Sequence, residues 1–393
     1  MVYLNECGIV CALGASHRQV RARLFDTCRS GLVRTDAWSR GCVLPLGLVD
    51  SVLPPLSALP SGQRSRNNQL AAAALAPIRA GVEAAIARFG RERVGIVIGT
   101  STSGIAGTEQ AMRERAATGA LPADFNYALQ EMGSPAAMLA GLLDVAGPAY
   151  VQSSACASSA KAMASAARLL NMGLCDAVIS GGVDTLCGFT VAGFSALESV
   201  SQQPCNPLGA NRCGINIGEG AALFLMTREP AAVALCGWGE SSDGHHMSAP
   251  DPAGGGARLA IGQALQRAGV TAAQVDYINL HGTATIQNDA MEARVIADLF
   301  GHDVPVSSTK PFTGHALGAA GAIEAAFCWL AMQDDNPDGK LPPHLWDGEP
   351  DPALPRLHVA LPGARLGRRL RWALSNSFAF GGANASLLFG RLA

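Results

Sequence analysis

Three residues stand where the chain could build chemistry: Cys156, His281 and His315. Cys156 lies in SSACASSA, between an apolar run that reads as a strand (149–153) and an Ala-rich run that reads as a helix (157–170). A thiol at a helix start meets unpaired N–H groups and the positive end of the dipole. Both favour a thiolate and can bind a developing oxyanion, so a lowered pKa is expected. Free cysteines are more often plain core residues, and Cys175, Cys187, Cys236 and Cys328, in apolar segments, read that way. His281 follows the apolar run 275–280 and opens HGTATIQND, while His315 sits in STKPFTGHALGAAG. Open α/β sheets bind ligands at the carboxyl ends of their strands, where both histidines fall. Lys310 precedes His315 in the same turn and by itself reads as a solvated lysine. Asp289 and Glu292 follow His281 on an apparent helix start, where a carboxylate either pairs with Lys310 or caps the helix. His245 and His246 fall in a polar loop and read as surface residues. NSFAFGGAN (376–384) follows a strand and offers a Gly-rich turn whose backbone can approach a ligand.

The elements that position these residues alternate in an α/β pattern. Val94–Gly99 and the runs 177–180, 221–226 and 275–280 read as strands. Residues 70–86 read as a buried helix that Pro77 kinks or divides. Residues 54–68 and 333–355, rich in Pro, Asp, Ser or Asn, read as solvated loops. An internal echo links 151–167 with 306–326: each runs from a short strand through a Ser/Thr turn into an Ala/Gly-rich helix. It suggests two halves of similar topology, each placing a polar group at a helix start.

Composition narrows the function. The 393 residues suffice for two core-sized units, and 49% apolar against 15% charged residues excludes a disordered chain. A net charge of −2 and 5% aromatics supply neither the electrostatic pull nor the stacking surfaces of a nucleic-acid binder. Eleven scattered cysteines, without a C-x-x-C pair, fit free thiols in a reducing cytoplasm better than a disulfide framework. Residues 1–15 lack the basic start of a signal peptide, and no uncharged apolar run is long enough for a membrane span. No phosphate loop, dinucleotide fingerprint, H-E-x-x-H or G-x-S-x-G occurs, and the Cys, His and Asp spacings give no metal cluster.

Together these strings resemble the condensing enzymes of the thiolase superfamily, closely the β-ketoacyl-acyl carrier protein synthases, over almost the whole chain. SSACASSA is similar to the nucleophile motif, HGTATIQNDAMEA to the first histidine motif, SSTKPFTGHALGAAGAIEA to the Lys/His motif and NSFAFGGAN to the C-terminal gate. The resemblance implies a thiolase-like five-layered αβαβα fold of two similar halves, here divided as residues 1–235 and 236–393. It implies that Cys156 takes an acyl chain from a carrier-protein thioester. His281 and His315 then support decarboxylation of a malonyl unit, and Lys310 with Glu292 sets the electrostatics around His315. The N–H groups of Cys156 and Phe380 would form an oxyanion hole, with Phe380 also gating the acyl pocket. Thr283 and Thr285 would hold the pantetheine arm, and Ala111 and Met112 would set pocket depth. No metal and no cofactor is expected, the substrates riding on the phosphopantetheine arm of an acyl carrier protein. The expected assembly is a homodimer, or a heterodimer with a related condensing-enzyme subunit.

Three positions depart from the family pattern: Cys213 replaces a usual Asp, Ala379 a Gly and Ala383 a Thr. With GTSTSGI and NRCGINIGEGAALF they point from housekeeping fatty-acid elongation toward the aryl-polyene or pigment-cluster branch. A Cys-His thioester hydrolase and a non-catalytic chain-length-factor-like partner are the alternatives. The first leaves the Lys/His motif without a role, and the second normally lacks the nucleophile. Arg64, Arg66, Arg113 and Arg115 are candidates for a patch that docks an acidic carrier protein.

Overall fold

The computed structural model describes residues 1–392. Five strands of the main sheet come from the first half: β1 (Val2–Cys11), β2 (Val94–Gly99), β3 (Ala149–Gln152), β4 (Ala177–Asp184) and β5 (Gly220–Thr227). Five come from the second: β6 (Val233–Ser242), β7 (Tyr277–Asn279), β8 (Pro305–Ser307), β9 (Trp372–Phe378) and β10 (Ala383–Arg391). With the short edge His358–Val359 they form a sheet ordered His358–Val359, β8, β7, β9, β10, β6, β1, β5, β4, β2, β3. The order is a repeat. β3, β2 and β4 run parallel, with β5 and β1 antiparallel to their neighbours. In the same way β8, β7 and β9 run parallel, with β10 and β6 antiparallel. Within the sheet the halves join where Val2 and Tyr3 pair with Leu235 and Ala234. Residue 235, where the sequence reading divides the chain, therefore lies inside β6.

The helices complete the five layers. On the outer face of the first half lie α1 (Arg66–Leu75) and, after α2 (Ile105–Thr118), α3 (Ser134–Leu143). Between the halves lies α4 (Ser158–Asn171); α5 (Gly188–Ala196) follows at the edge. The second half is covered by α6 (Gly255–Ala268) and α7 (Ile286–Phe300), and α8 (Ala320–Ala331) joins α4 in the middle layer. Burial on both faces explains the unbroken apolar strand runs. Ile96, Ile98, Leu223 and Leu225 point into the outer core, while Val97, Phe224 and Met226 point at the central helices. Each such side chain contributes about 1.5–3 kcal/mol by leaving water. Apart from Glu324, α8 is apolar on all sides because it touches both halves.

The helical stretch 66–89 is long and apolar enough, at mean hydropathy 1.5, to match a membrane span by composition. It is a core element: Leu70, Ala74, Leu75, Ile78 and Val82 are buried against the sheet. Pro77 divides it as expected, through a 3₁₀ turn at Ala76–Ile78. The two expected surface loops are only partly so. Ser65, Asn67, Asn68, Leu341 and His344 are buried. Their polar composition suggested solvent, but several of these groups find partners inside. Asn68 Nδ2 donates to Gln63 O and Ser134 Oγ. His344 Nδ1 accepts from Ser308 N, and its Nε2 donates to Pro207 O.

Candidate active site

Cys156 ends a tight turn between β3 and α4. Ala155 holds φ +46°, a left-handed conformation costly for a residue with a Cβ. Ser158 fixes the turn: its Oγ accepts from Ser154 N at 2.8 Å and donates to Ala155 O at 2.6 Å. Two glycines let the helix start sit against the strand ends. A Cβ on Gly99 would meet Ser159 N at 2.3 Å, and one on Gly182 would meet Ser159 Cβ at 2.5 Å. The thiol is buried, and this corrects the expected pKa. Burial pushes it up to about 11, outweighing the downward pull of Lys310 and of the backbone N–H groups of Phe380 and Cys156. The resting group is a thiol, and proton transfer to a neighbour must precede attack.

That neighbour is His315, whose Nε2 lies 3.0 Å from Cys156 Sγ. His281 stands edge-on to it, ring centroids 5.4 Å apart at 82°. Burial holds both imidazoles well below their ordinary pKa, and Lys310 lowers both further. Burial thus favours the neutral ring in both. Their backbones are fixed: His281 N donates to Glu292 Oε1 at 2.8 Å and His315 N to Asn216 O at 2.6 Å. Among the described residues neither Nδ1 has a hydrogen-bond partner, although both are buried. Ala284 (φ +64°) and Leu317 (φ +48°) repeat beside the histidines the strain seen before Cys156.

Lys310 and Glu292 do not pair. Lys310 Nζ bonds Glu324 Oε1 at 2.6 Å, and both side chains are buried. Glu292 instead accepts from His281 N, Gly282 N and Asn376 Nδ2, so it braces the histidine turn. Burial raises its pKa to about 7 despite those donors. Asp289 likewise accepts from Leu208 N and Ala284 N and does not approach Lys310. A lone acid in the apolar run GAIEAA was the available signal for Glu324. Asp184 was also missed. It accepts from Thr100, Ser101, Thr102 and Gly318 N, tying the turn after β2 to the segment beside His315.

These groups open on a cavity of about 40 Å³, lined by Cys156, His281, His315, Thr283, Thr285 and Phe380 among others. Thr283 and Thr285 share a 2.9 Å hydrogen bond. Phe380 packs on Phe194, ring centroids 5.4 Å apart, so the expected gate rests on α5. Glu109 of α2 in turn caps α5, accepting from Gly188 N at 3.0 Å and Phe189 N at 2.5 Å. Ala111 and Met112 do not line this cavity. Ala111 is buried within the packing of α2, and Met112 faces a separate groove of about 950 Å³ shared with Trp38 and Phe189. Thr108, one turn before Met112, shares its groove, and Ala111 does not. The candidate docking arginines are mostly engaged. Arg66 pairs with buried Glu219 at 2.6 Å, Arg64 donates to Leu59 O, and Arg113 lies 3.6 Å from Glu109.

Comparison with known proteins places this geometry. Residues 68–232 match the family described as beta-ketoacyl synthase, N-terminal domain, and residues 232–345 match its C-terminal domain. A mitochondrial 3-oxoacyl-[acyl-carrier-protein] synthase of Arabidopsis thaliana is 37% identical over 62% of this chain. That match spans 56% of the relative's own length. Nodulation protein E of Rhizobium meliloti is 34% identical over 76% of this chain and 75% of that protein. Among solved structures, a ketosynthase (ApeO) in complex with its chain length factor (ApeC), from Xenorhabdus doucetiae, superposes with a TM-score of 0.93. It is 43% identical and covers 100% of this chain and 98% of its own. With both family domains present and the thiol and two imidazoles assembled at the seam between the two repeats, the chain belongs to the beta-ketoacyl synthase family.

Proposed function

We propose that the chain is a β-ketoacyl-acyl carrier protein synthase that elongates a carrier-bound acyl chain by decarboxylative condensation. The observation that carries the reading is Cys156 Sγ at 3.0 Å from His315 Nε2, with His281 beside them. His315 takes the thiol proton, Sγ attacks the thioester carbonyl, and the carrier's pantetheine thiol leaves with that proton. The backbone N–H groups of Cys156 and Phe380 face the sulfur and hold the oxyanion. A malonyl thioester then enters and loses CO₂. His281, neutral, donates its N–H to the enolate oxygen, and His315 adds a second donor once its proton has moved from Nδ1 to Nε2. The carbanion attacks the acyl-Cys156 carbonyl and the carbon–sulfur bond breaks; 3-oxoacyl carrier protein leaves, and the Cys156 thiolate takes a proton from solvent to restore the thiol. Thr283 and Thr285 hold the pantetheine arm, and no cofactor takes part. His315 thus serves both steps, whereas the sequence reading had both histidines act mainly after acyl transfer.

The first half supplies the nucleophile, and the second supplies the histidines and lysine. A second subunit of the same family covers the groove lined by Met112 and Phe189 and the open edge of β3. The similarity to a ketosynthase described with its chain length factor supports a heterodimer. The test is intact-mass measurement of acyl-loaded carrier protein after incubation with malonyl-carrier protein. A product heavier by a C₂H₂O unit is expected. Free acid released to water would identify a hydrolase instead.

A further inference from the structure

Cys156, His281 and His315 are spaced along the chain like no metal motif, yet the fold gathers one sulfur and two imidazole nitrogens within 4.8 Å of one another. All three side chains are buried. In a tetrahedral zinc site, one thiolate at about 2.3 Å and imidazoles at about 2.0–2.1 Å place ligand atoms about 3.4–3.6 Å apart. The 3.0 Å contact between Sγ and His315 Nε2 must open by about 0.5 Å, and the widest pair must close by about 1 Å. Side-chain torsions supply such shifts, because neither ring is anchored at Nδ1. The nearby ammonium of Lys310 opposes a cation, but its 2.6 Å pairing with Glu324 offsets that charge. The cavity at Cys156 leaves the fourth position to water.

We propose that this cluster is a binding site for one soft divalent cation, Zn²⁺ or Cd²⁺, whose occupancy reversibly switches off the thiol. Sγ gives its proton to solvent and forms one bond to the ion. Two imidazole lone pairs form two more, and no electron is transferred. A ligating histidine usually donates its second N–H to an acceptor, and losing that support weakens metal sites about 10–100-fold. Both histidines here lack it, so the site is exchangeable rather than structural. Binding rests on the geometry alone; the switch also rests on the reading of Cys156 as the acylated nucleophile.

The test is a Cd²⁺ titration of the full chain, followed by the ultraviolet charge-transfer band of cadmium thiolate, with Zn²⁺ competing by calorimetry. One equivalent is expected, and chelation by EDTA should reverse it. Cys156→Ser should abolish the band, and His281→Gln and His315→Gln should each weaken binding at least 10-fold. Cys213→Ser, at the exposed cysteine, should leave it intact. Circular dichroism checks the folding of each variant, and prior alkylation of Cys156 in the unaltered chain gives a second route to the same loss. A band of equal strength in Cys156→Ser, or after alkylation, overturns the site. Undiminished acylation of Cys156 in the Cd²⁺-saturated protein overturns the switch. No acylation of the metal-free protein, with the band present, overturns the synthase reading and leaves the site standing.

Discussion

The turn between β3 and α4 and the turn between β8 and α8 occupy equivalent places in the two halves, yet they do different work. Both hold a non-glycine residue in the left-handed region, Ala155 at φ +46° and Leu317 at φ +48°. In the first, Ser154, Ala155 and Ser158 bond locally, and no formal charge enters the turn. In the second, Lys310 and His315 are buried and balanced by Glu324 on α8. A duplicated scaffold thus separates the nucleophile from the groups that manage protons and charge, and the chemistry arises where the halves meet. The cost falls unevenly too, since only the second turn depends on a buried ion pair.

Breaking that pair should have the largest effect. Glu324→Ala strands a buried ammonium, which costs about 3–5 kcal/mol, measurable by denaturant unfolding. The counterpart change on the first turn, Ser158→Ala, removes one hydrogen-bonding hydroxyl and should cost about 1–3 kcal/mol. Equal losses would erase the contrast. Kinetics sharpens it further. His281→Ala should lower malonyl decarboxylation about 100–1000-fold while Cys156 acylation continues. His315→Ala should slow both steps, because His315 touches the thiol. Matching profiles for the two variants would deny His315 its extra role.

A smaller effect follows from His344, which takes the N–H of Ser308 at the base of the second turn. Burial lowers its pKa from 6.5 to about 4, so the folded state prefers the neutral ring. That contribution is complete above pH 6.5 and is lost as pH falls toward 4, by about 3 kcal/mol. His344→Gln should flatten this limb of the stability-pH curve; an unchanged limb would assign it to other groups. Smallest is Ala111→Phe. Overpacking α2 should cost about 1–3 kcal/mol without changing the acyl chain-length profile, because Ala111 does not line the cavity at Cys156. A truncated profile would restore it to the acyl pocket.

The strand–turn–helix echo and the reactive residues were legible in the sequence because both are local. An apolar run ends, a small polar turn follows, and a helix begins. Partners separated along the chain were not. Lys310 went to Glu324 rather than Glu292 because α8 passes beneath its turn, which no spacing along the chain reveals. The sign of the Cys156 shift was missed for a related reason. A helix start argues for a thiolate, but the depth of burial depends on α4 being enclosed by both halves. Polar runs such as 333–355 misled in the opposite direction, since composition records polarity and not whether a residue such as His344 is partnered inside.

The division of labour between the two turns is tested most directly by peptide mass spectrometry of the chain after incubation with an acyl-carrier protein. The expected result is one acyl mass on the peptide containing Cys156. The acylation rate should fall in His315→Ala and hold in His281→Ala. An unmodified Cys156 beside acyl label on another residue would contradict the account.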